Sequence, residues 1–381
     1  MQPFVAVARG AEGDLAAIGN TARIIEAMFA AHGVAARVSG GEIAPTCIQF
    51  HVDADARADI SLRIAKGLAA ALQVPQVLIT GNGTGVMVAV PRALAAPVLL
   101  SSLLERSGAL PACTAILGIT ADERPLLLRL PGPETGSVLV AGAARAGKST
   151  LLRTVALSLA AHNRPAQLQL LLIDVRPGGL EPLAALPHAL AEAATDAVQG
   201  GHLVTWLRAE MDRRDQEGYR TPRIACLLDG LEDVLAVGGA SVEDALVRLA
   251  LRGREVGLHL IAATRMPACP AISDRLRESF AVRLVGCVRD AGEALNAGGV
   301  TGSDAGRLLG LGDFVAVAAG GATPFQAAYA PEQTLPAAPG ASAAEIIAGL
   351  RGRQARGARS VPPAPRAVSA LLTRRVLEQS S

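Results

Sequence analysis

Apolar residues along the first ninety positions alternate between two periods. Leu15, Ile18, Ile24, Met28 and Phe29 keep helical spacing over 15–33, and the run stops at Gly33, a helix C-terminal signal. Strand-like runs follow at 34–39 and 46–53. Ile60, Ile64, Leu68 and Leu72 then recur every four residues, which predicts a helix over 58–73. Two more short apolar runs, 76–80 and 85–90, flank Gly81-Asn82-Gly83, a strong hairpin signal. The order helix, strand, strand, helix, strand, strand predicts a small α+β domain over 15–92. A flexible lead-in, 1–14, precedes it, and 93–124 reads as a connector.

From 125 the pattern changes. Apolar strands at 136–141, 168–174, 223–229 and 258–264 alternate with helices near 148–161, 196–214 and 241–254. Near-continuous apolar strands joined by long crossovers imply an α/β domain over 125–334, its parallel sheet covered on both faces. Over 335–381 this order is lost. Pro and Ala cluster there, and arginines stand at 351, 353, 356, 359, 366, 374 and 375, which predicts a basic, partly disordered tail.

Composition narrows the classes. Half of the residues are apolar and only 2 % aromatic, so Ala, Leu and Val must fill the cores. The net charge of +2 neither demands nor excludes a nucleic-acid partner. The positive charge is arginine; Lys66 and Lys148 are the two lysines. The five cysteines form no C-x-x-C pair and the six histidines show no ligand spacing, which argues against a disulfide framework or a zinc site and for a reducing, cytoplasmic setting. Arg9, Glu12 and Asp14 interrupt any secretory leader, and no uncharged apolar stretch is long enough to span a bilayer, so no membrane insertion is expected.

One segment carries specific chemistry. Gly142-Ala143-Ala144-Arg145-Ala146-Gly147-Lys148-Ser149, followed by Thr150, matches G-x-x-x-x-G-K-[ST] between a predicted strand and a predicted amphipathic helix. The glycines let the backbone bend so that its N–H groups and the helix N-terminus face phosphates. Lys148 supplies charge to the β- and γ-phosphates, and the Ser149 hydroxyl is a ligand for Mg2+. ATP with Mg2+ is the expected ligand pair. Such a site also needs an acidic residue at the end of a neighbouring strand, and Asp229, closing Arg223-Ile-Ala-Cys-Leu-Leu-Asp229, fits. Most hydrolysing relatives of this architecture follow that Asp with a Glu that orients the attacking water. Here Gly230 follows. Glu232 and Asp233 come next and point elsewhere on an ordinary turn; Asp174, Glu181 and Arg265 are other candidates to supply a base.

Over about 20–333 the chain resembles the motor portion of FtsK/SpoIIIE DNA translocases. The matches run in order: Gly33-Val-Ala-Ala-Arg-Val, Leu117-Gly-Ile-Thr, Leu126–Leu130, Val138–Gly142, Leu170–Asp174, Leu183–His188, Thr205–Arg214, Arg254–Thr264 and Gly310-Leu-Gly312-Asp313-Phe314. The resemblance implies a RecA-like P-loop motor, a homo-oligomer in the form of a hexameric ring, double-stranded DNA in its channel, and ATP bound between subunits. It implies an arginine finger from the neighbour, with Arg248 and Arg254 at positions where the family keeps arginines. The chain departs from the family at Gly230, at Arg265 where the family has a sensor Gln, at Asp290–Leu295, and at Asp174-Val-Arg176. Gly230 and Arg265 keep one alternative in play beside an ATP-driven translocase, a nucleotide-binding, ring-forming protein with weak or no hydrolysis; a second alternative, an ATPase for protein export, is implied by related ATPases that push polypeptides.

Overall fold

The computed structural model describes residues 12–43, 47–54, 58–74, 77–81, 85–91, 97–120, 123–176, 179–288, 291–299, 305, 308, 310, 312–319 and 321–330. The predicted tail, most of the lead-in and the Asn82-Gly83 turn lie outside these residues. Two compact units form, the first built mainly from residues before 97.

In the first unit α1 (Glu12–Ala31) leads into β1 (Ala36–Ile43) and β2 (Cys47–Ala54), then α2 (Ala58–Ala71), β3 (Leu78–Gly81) and β4 (Val86–Pro91). The strands pair antiparallel in the order β1-β2-β4-β3. Ile18, Ile25 and Phe29 of α1 and Ile64 and Leu68 of α2 share one core with Phe50, Val52, Val86, Val88 and Val90 of the strands. Those helix positions sit seven or four apart, so each helix presents one stripe to the sheet. Past the end of α1, Gly33 takes φ +74°, a left-handed conformation that suits glycine and ends the helix.

The second unit holds a nine-stranded sheet. Its elements are α3 (Leu100–Ser107), β5 (Thr114–Thr120), β6 (Pro125–Arg129), β7 (Val138–Ala141), α4 (Lys148–His162), β8 (Leu168–Asp174), α5 (Ala197–Glu217), β9 (Arg223–Asp229), α6 (Leu231–Arg252), β10 (Leu258–Thr264), α7 (Asp274–Glu278), β11 (Val282–Gly286), α8 (Ala291–Gly298), β12 (Asp313–Ala318) and β13 (Gly321–Ala327). The sheet order is β6-β5-β13-β12-β11-β7-β10-β9-β8. The run β11-β7-β10-β9-β8 is parallel; β7, β8, β9 and β10 are the four predicted apolar runs, and β11 adds a fifth strand that the sequence reading did not name. The other strands make the sheet mixed: β12 pairs antiparallel with β11 and β13, and β5 with β6. β6 and β13 are unevenly buried, the first four residues of β13 being exposed, whereas β5 and β12 are mostly buried. The stretch read as a connector therefore holds α3 and β5, and β5 is a strand of the large sheet.

The P-loop helix α4 is not amphipathic. From Leu151 to Ala161 it is buried on every side. Its polar residues are used internally: the Thr154 hydroxyl donates to the Ala328 carbonyl at 2.6 Å, and the Ser158 hydroxyl accepts from the Ile116 amide at 2.8 Å. These bonds tie the helix that carries the P-loop to β5 and to the chain beyond β13, satisfying polar groups that water cannot reach.

A second buried polar knot closes α5. Glu210 accepts from Arg214 at 2.8 Å, from Arg213 at 2.7 Å and from the Tyr219 hydroxyl at 3.0 Å. Arg214 is 2 % exposed and also donates to the Val256 carbonyl at 3.2 Å. Burial by itself would raise the Glu210 carboxyl, but the hydrogen bonds from Arg214, Arg213 and Tyr219 outweigh it and hold it below its ordinary value. A carboxyl held low in the folded state stabilises the fold above its unfolded-state value, and that contribution is lost as pH falls through the folded-state value. Arg214→Ala strips the main partner from a buried carboxylate and should cost about 3 kcal/mol. Thermal melts should show a fall in Tm of roughly 6–12 °C at neutral pH. The loss should shrink on acidification, as the remaining carboxylate is protonated. An unchanged Tm at neutral pH would mean that Arg213 and Tyr219 suffice.

Among the described residues no helix is long and apolar enough to cross a membrane.

Candidate nucleotide-binding site

The parallel strands end together. Ala141 of β7 pairs with Thr264 of β10, Ala263 of β10 with Asp229 of β9, and Asp229 with Asp174 of β8. Because β10 lies between β7 and β9, the loop after Ala141 and the carboxylates of Asp229 and Asp174 meet along one carboxyl edge, with Thr264 between them. In open α/β sheets ligands bind at this edge.

The loop Gly142–Gly147 is held from below. The Ala143 amide donates to the Cys287 carbonyl at 2.7 Å, and Gly312 donates to the Ala146 carbonyl at 3.3 Å. Ala144 and Arg145 form the exposed tip. At the end of the loop Gly147 takes φ +98°, and a β-carbon there would come 3.2 Å from the Gly312 nitrogen. Both the backbone sign and the crowding require glycine. Gly147 caps α4 with no side-chain acceptor, so the first N–H groups of α4 remain available to an anion.

Lys148, Ser149 and Thr150 open α4, and Lys148 is 8 % exposed. Its ammonium folds back to donate to the Ala143 carbonyl at 2.7 Å. Burial lowers its pKa, against the opposing pull of Asp229 and Glu232. A buried cation beside two carboxylates, at a helix N-terminus, is suited to a polyanion. The Ser149 hydroxyl donates to Asp229 Oδ2, which joins the two predicted metal ligands directly. Burial raises the Asp229 carboxyl and the charge of Asp174 raises it further; Ser149, Lys148 and Arg176 act the other way.

Asp174 is fully buried and split in its duties. Its Oδ2 accepts from the amides of Gly179, Leu180 and Glu181 at 3.1, 2.6 and 2.9 Å, fixing the turn after β8. Its Oδ1 is buried with no hydrogen-bond partner. A β-carbon on Gly179 would lie 3.1 Å from Ser149 Cβ and 3.7 Å from both Asp174 Oδ1 and Asp229 Oδ2. A hydroxyl and two carboxylates thus converge, one oxygen unused, around a position kept open by glycine. Hard oxygen donors of this kind fit Mg2+, which takes one or two carboxylates plus phosphate and water. Among the described residues no cluster of three or more His, Cys, Asp and Glu could hold a metal by itself.

The loop, β7 and β8 lie within a segment that a known family describes, whereas β9 begins at its edge and β10 lies beyond it. The FtsK/SpoIIIE family model matches residues 113–224. Residues 113–224 form an FtsK/SpoIIIE family domain. Relatives extend the match on both sides of it. The DNA translocase FtsK of Sporosarcina ureae is 26 % identical over 371 residues, covering 88 % of this chain and 47 % of that protein. The DNA translocase SpoIIIE of Bacillus subtilis is 26 % identical over 352 residues, covering 83 % and 44 %. The chain therefore spans less than half the length of these relatives. Among solved structures, the cytoplasmic domain of the Thermomonospora curvata type VII secretion ATPase EccC aligns with a TM-score of 0.56 at 23 % identity, over 71 % of this chain and 36 % of that one. The pCW3 conjugation coupling protein TcpA, in its monomer form with ATPgS, aligns with a TM-score of 0.55 at 16 % identity, over 82 % and 96 %. At such identities the likeness is one of fold, that of the P-loop ATPases.

The FtsK/SpoIIIE domain and the strands after it bring Lys148, Ser149, Asp229 and Asp174 together. The predicted arginines stand elsewhere. Arg248 lies on α6, 51 % exposed and paired with Asp244 at 2.8 Å. Arg254 precedes β10, and its charge acts on His259 near the start of that strand. Thr264, at the other end of β10, is about 16 Å further along. Neither arginine joins the cluster. Glu181 is exposed in a short 3-10 helix, Glu181–Ala185, and Arg265 is 48 % exposed.

Glu232 is where the sequence reading misses. An ordinary turn would carry it away from the site. Gly230 instead takes φ +98° at the start of α6, and Glu232 is 3 % exposed. It accepts from Arg176 Nη2 at 2.8 Å and from the Arg265 amide at 3.3 Å. The only sequence signal is the glycine, which admits the left-handed turn without a steric cost. A side chain at 230 would be strained by that φ, and its β-carbon would lie 3.1 Å from Asp233 Oδ2 and 3.2 Å from Val175 Cβ. Installing a Glu there does not simply restore the pattern of hydrolysing relatives.

Proposed function

We propose that this chain is the motor portion of an ATP-driven double-stranded DNA translocase of the FtsK/SpoIIIE type. The observation that carries the reading is the contact of Ser149 with Asp229 beside Lys148, at the carboxyl edge of the parallel strands. In this reading the amides of Gly142–Gly147 and the N-terminus of α4 bind the phosphates, and Lys148 faces the β- and γ-phosphates. Ser149 and Asp229 hold Mg2+, with Asp174 Oδ1 as an outer partner. The metal would offset charge on the transferring phosphoryl group. Relatives named as DNA translocases, in register over most of the chain, support duplex DNA as the track. A hexameric ring with Arg248 or Arg254 reaching a neighbour's nucleotide belongs to the same proposal, and accords with their distance from the cluster of their own subunit.

The test is steady-state ATP hydrolysis with and without long duplex DNA. Several-fold stimulation by duplex, weakening steeply as salt rises, is the expected result. ATP turnover indifferent to every duplex tried would remove DNA from the proposal and leave the nucleotide site. One observation favours a second reading, a nucleotide-bound ring with little turnover: no carboxylate stands at 230. Tight ATP binding with negligible hydrolysis, with DNA present, would favour it.

A further inference from the structure

Glu232 has the attributes of a group placed for use rather than for stability. It is carried on the first turn of α6, immediately after the left-handed Gly230, and is buried. Its contacts reach the nucleotide edge from three sides. Arg176 approaches from beyond β8, the Arg265 amide from the end of β10, and the charge of Lys148 is felt from α4. Thr264 is the last residue of β10, the strand that separates the P-loop strand from the Asp229 strand. The tip of β10 stands between the loop that follows β7 and Asp229 at the end of β9.

Its hydrogen bonding is also unequal. Glu232 Oε1 takes the Arg176 and Arg265 contacts, whereas Oε2 is buried and makes no hydrogen bond of good geometry. A carboxylate buried only to pair with Arg176 would gain by using both oxygens, since an unsatisfied buried acceptor is costly. Hydrogen bonds and Arg176 hold the carboxyl below its ordinary value despite burial, so it is ionised at neutral pH and able to accept a proton.

Resting on the nucleotide-hydrolysis reading above, we infer that Glu232 is the catalytic carboxylate, performing from the second position after Gly230 the role that hydrolysing relatives give to the residue next to the Asp. Oε2 accepts a hydrogen bond from the attacking water. As the water oxygen forms its bond to the γ-phosphorus, the bond from that phosphorus to the β,γ-bridging oxygen breaks. Its electron pair leaves with ADP, and the water proton passes to Glu232, to be released later with inorganic phosphate. Arg176 is a positioning residue: its guanidinium donates to Glu232 Oε1 at 2.8 Å and so fixes which oxygen is presented, and it is itself anchored by donating to Asp233 Oδ2 at 2.9 Å.

The experiment is Glu232→Gln in the full chain, with Glu181→Gln, an exposed carboxylate outside the cluster, as the control. Gln keeps the size and the Oε1 acceptor and loses the ability to take a proton. ATP turnover, equilibrium binding of a fluorescent ATP analogue and thermal melting are measured on each protein. The expected result for Glu232→Gln is a fall in kcat of about a hundredfold or more, the scale of general-base catalysis, with analogue affinity and melting close to wild type. Glu181→Gln should retain most of its turnover. Turnover of Glu232→Gln within a few-fold of wild type overturns the assignment. So does a wild-type protein that binds the analogue but hydrolyses nothing with or without duplex DNA. A wild-type protein that binds no analogue fails at the earlier step, the nucleotide site itself. Should Glu232→Gln melt early, Glu232→Asp decides: a shortened carboxylate that restores folding but not turnover supports the assignment, and full turnover from it overturns the need for this placement.

Discussion

Lys148→Ala should lower ATP turnover by at least about a hundredfold, the scale seen when one preorganised group that stabilises transition-state charge is removed. The ammonium reaches back to the Ala143 carbonyl and is charge-coupled to Asp229 and Glu232. Burial makes its charge costly to hold, which lowers its pKa, and a polyphosphate is the partner that would return the lost solvation. Alanine leaves the loop glycines, the α4 N-terminus and the Ser149–Asp229 contact in place, so analogue binding should weaken less than turnover does. Steady-state hydrolysis and analogue binding, with a melt to confirm folding, check it. Turnover that survives in Lys148→Ala would mean that phosphate chemistry takes place somewhere other than this loop.

Gly118→Val should destabilise the large unit by about 3 kcal/mol or more, because it forces a side chain into backbone. Gly118 lies in β5, next to β13 in the sheet, and the Ala328 amide donates to the neighbouring Leu117 carbonyl at 2.9 Å. A β-carbon on Gly118 would fall inside the contact radius of the Gln326 carbonyl oxygen, 2.8 Å from its carbon and 2.9 Å from Ala327 Cα. No rotamer relieves an overlap of Cβ with main chain; β5 and β13 must separate. Gly19→Ala is the matched control. Gly19 sits within α1 with nothing within 4 Å of an added β-carbon, so alanine there should be neutral or stabilising by up to about 1 kcal/mol. Thermal melts and soluble yield of the two variants make the comparison. A Gly118→Val protein that melts like wild type would mean that 114–120 is not a strand of this sheet.

Legibility followed the strength of the local signal. The strands ending at Ala141, Asp174, Asp229 and Thr264 are fully or almost fully buried and read as unbroken apolar runs, and their observed limits lie within two residues of the predicted ones. The helices α1 and α2 are one-faced and their periods were visible. The all-round burial of α4 was not, because a helix surrounded by protein has no polar face to set its phase. β5, β12 and β13 are short, alternating or glycine-bearing, and each is held by a partner distant in the chain. Such strands are specified by what lies beside them rather than by their own sequence.

By itself the sequence marked Gly142 to Thr150 as the loop we propose for phosphate, since glycine, lysine and serine at that spacing suit the backbone geometry and charge that phosphate binding requires. It also determined Asp229 as the acidic end of a buried strand, and the α/β alternation around them. Tertiary structure alone decided that Asp174 and Asp229 stand side by side, through the register of β8 with β9, and that β10 intervenes between the loop and Asp229. It alone turned Glu232 inward, because the sign of one glycine φ angle decides where the next turn of helix faces. Local chemistry is written in residue types and spacings; convergence depends on strand order and on backbone torsions, which no single stretch of sequence carries.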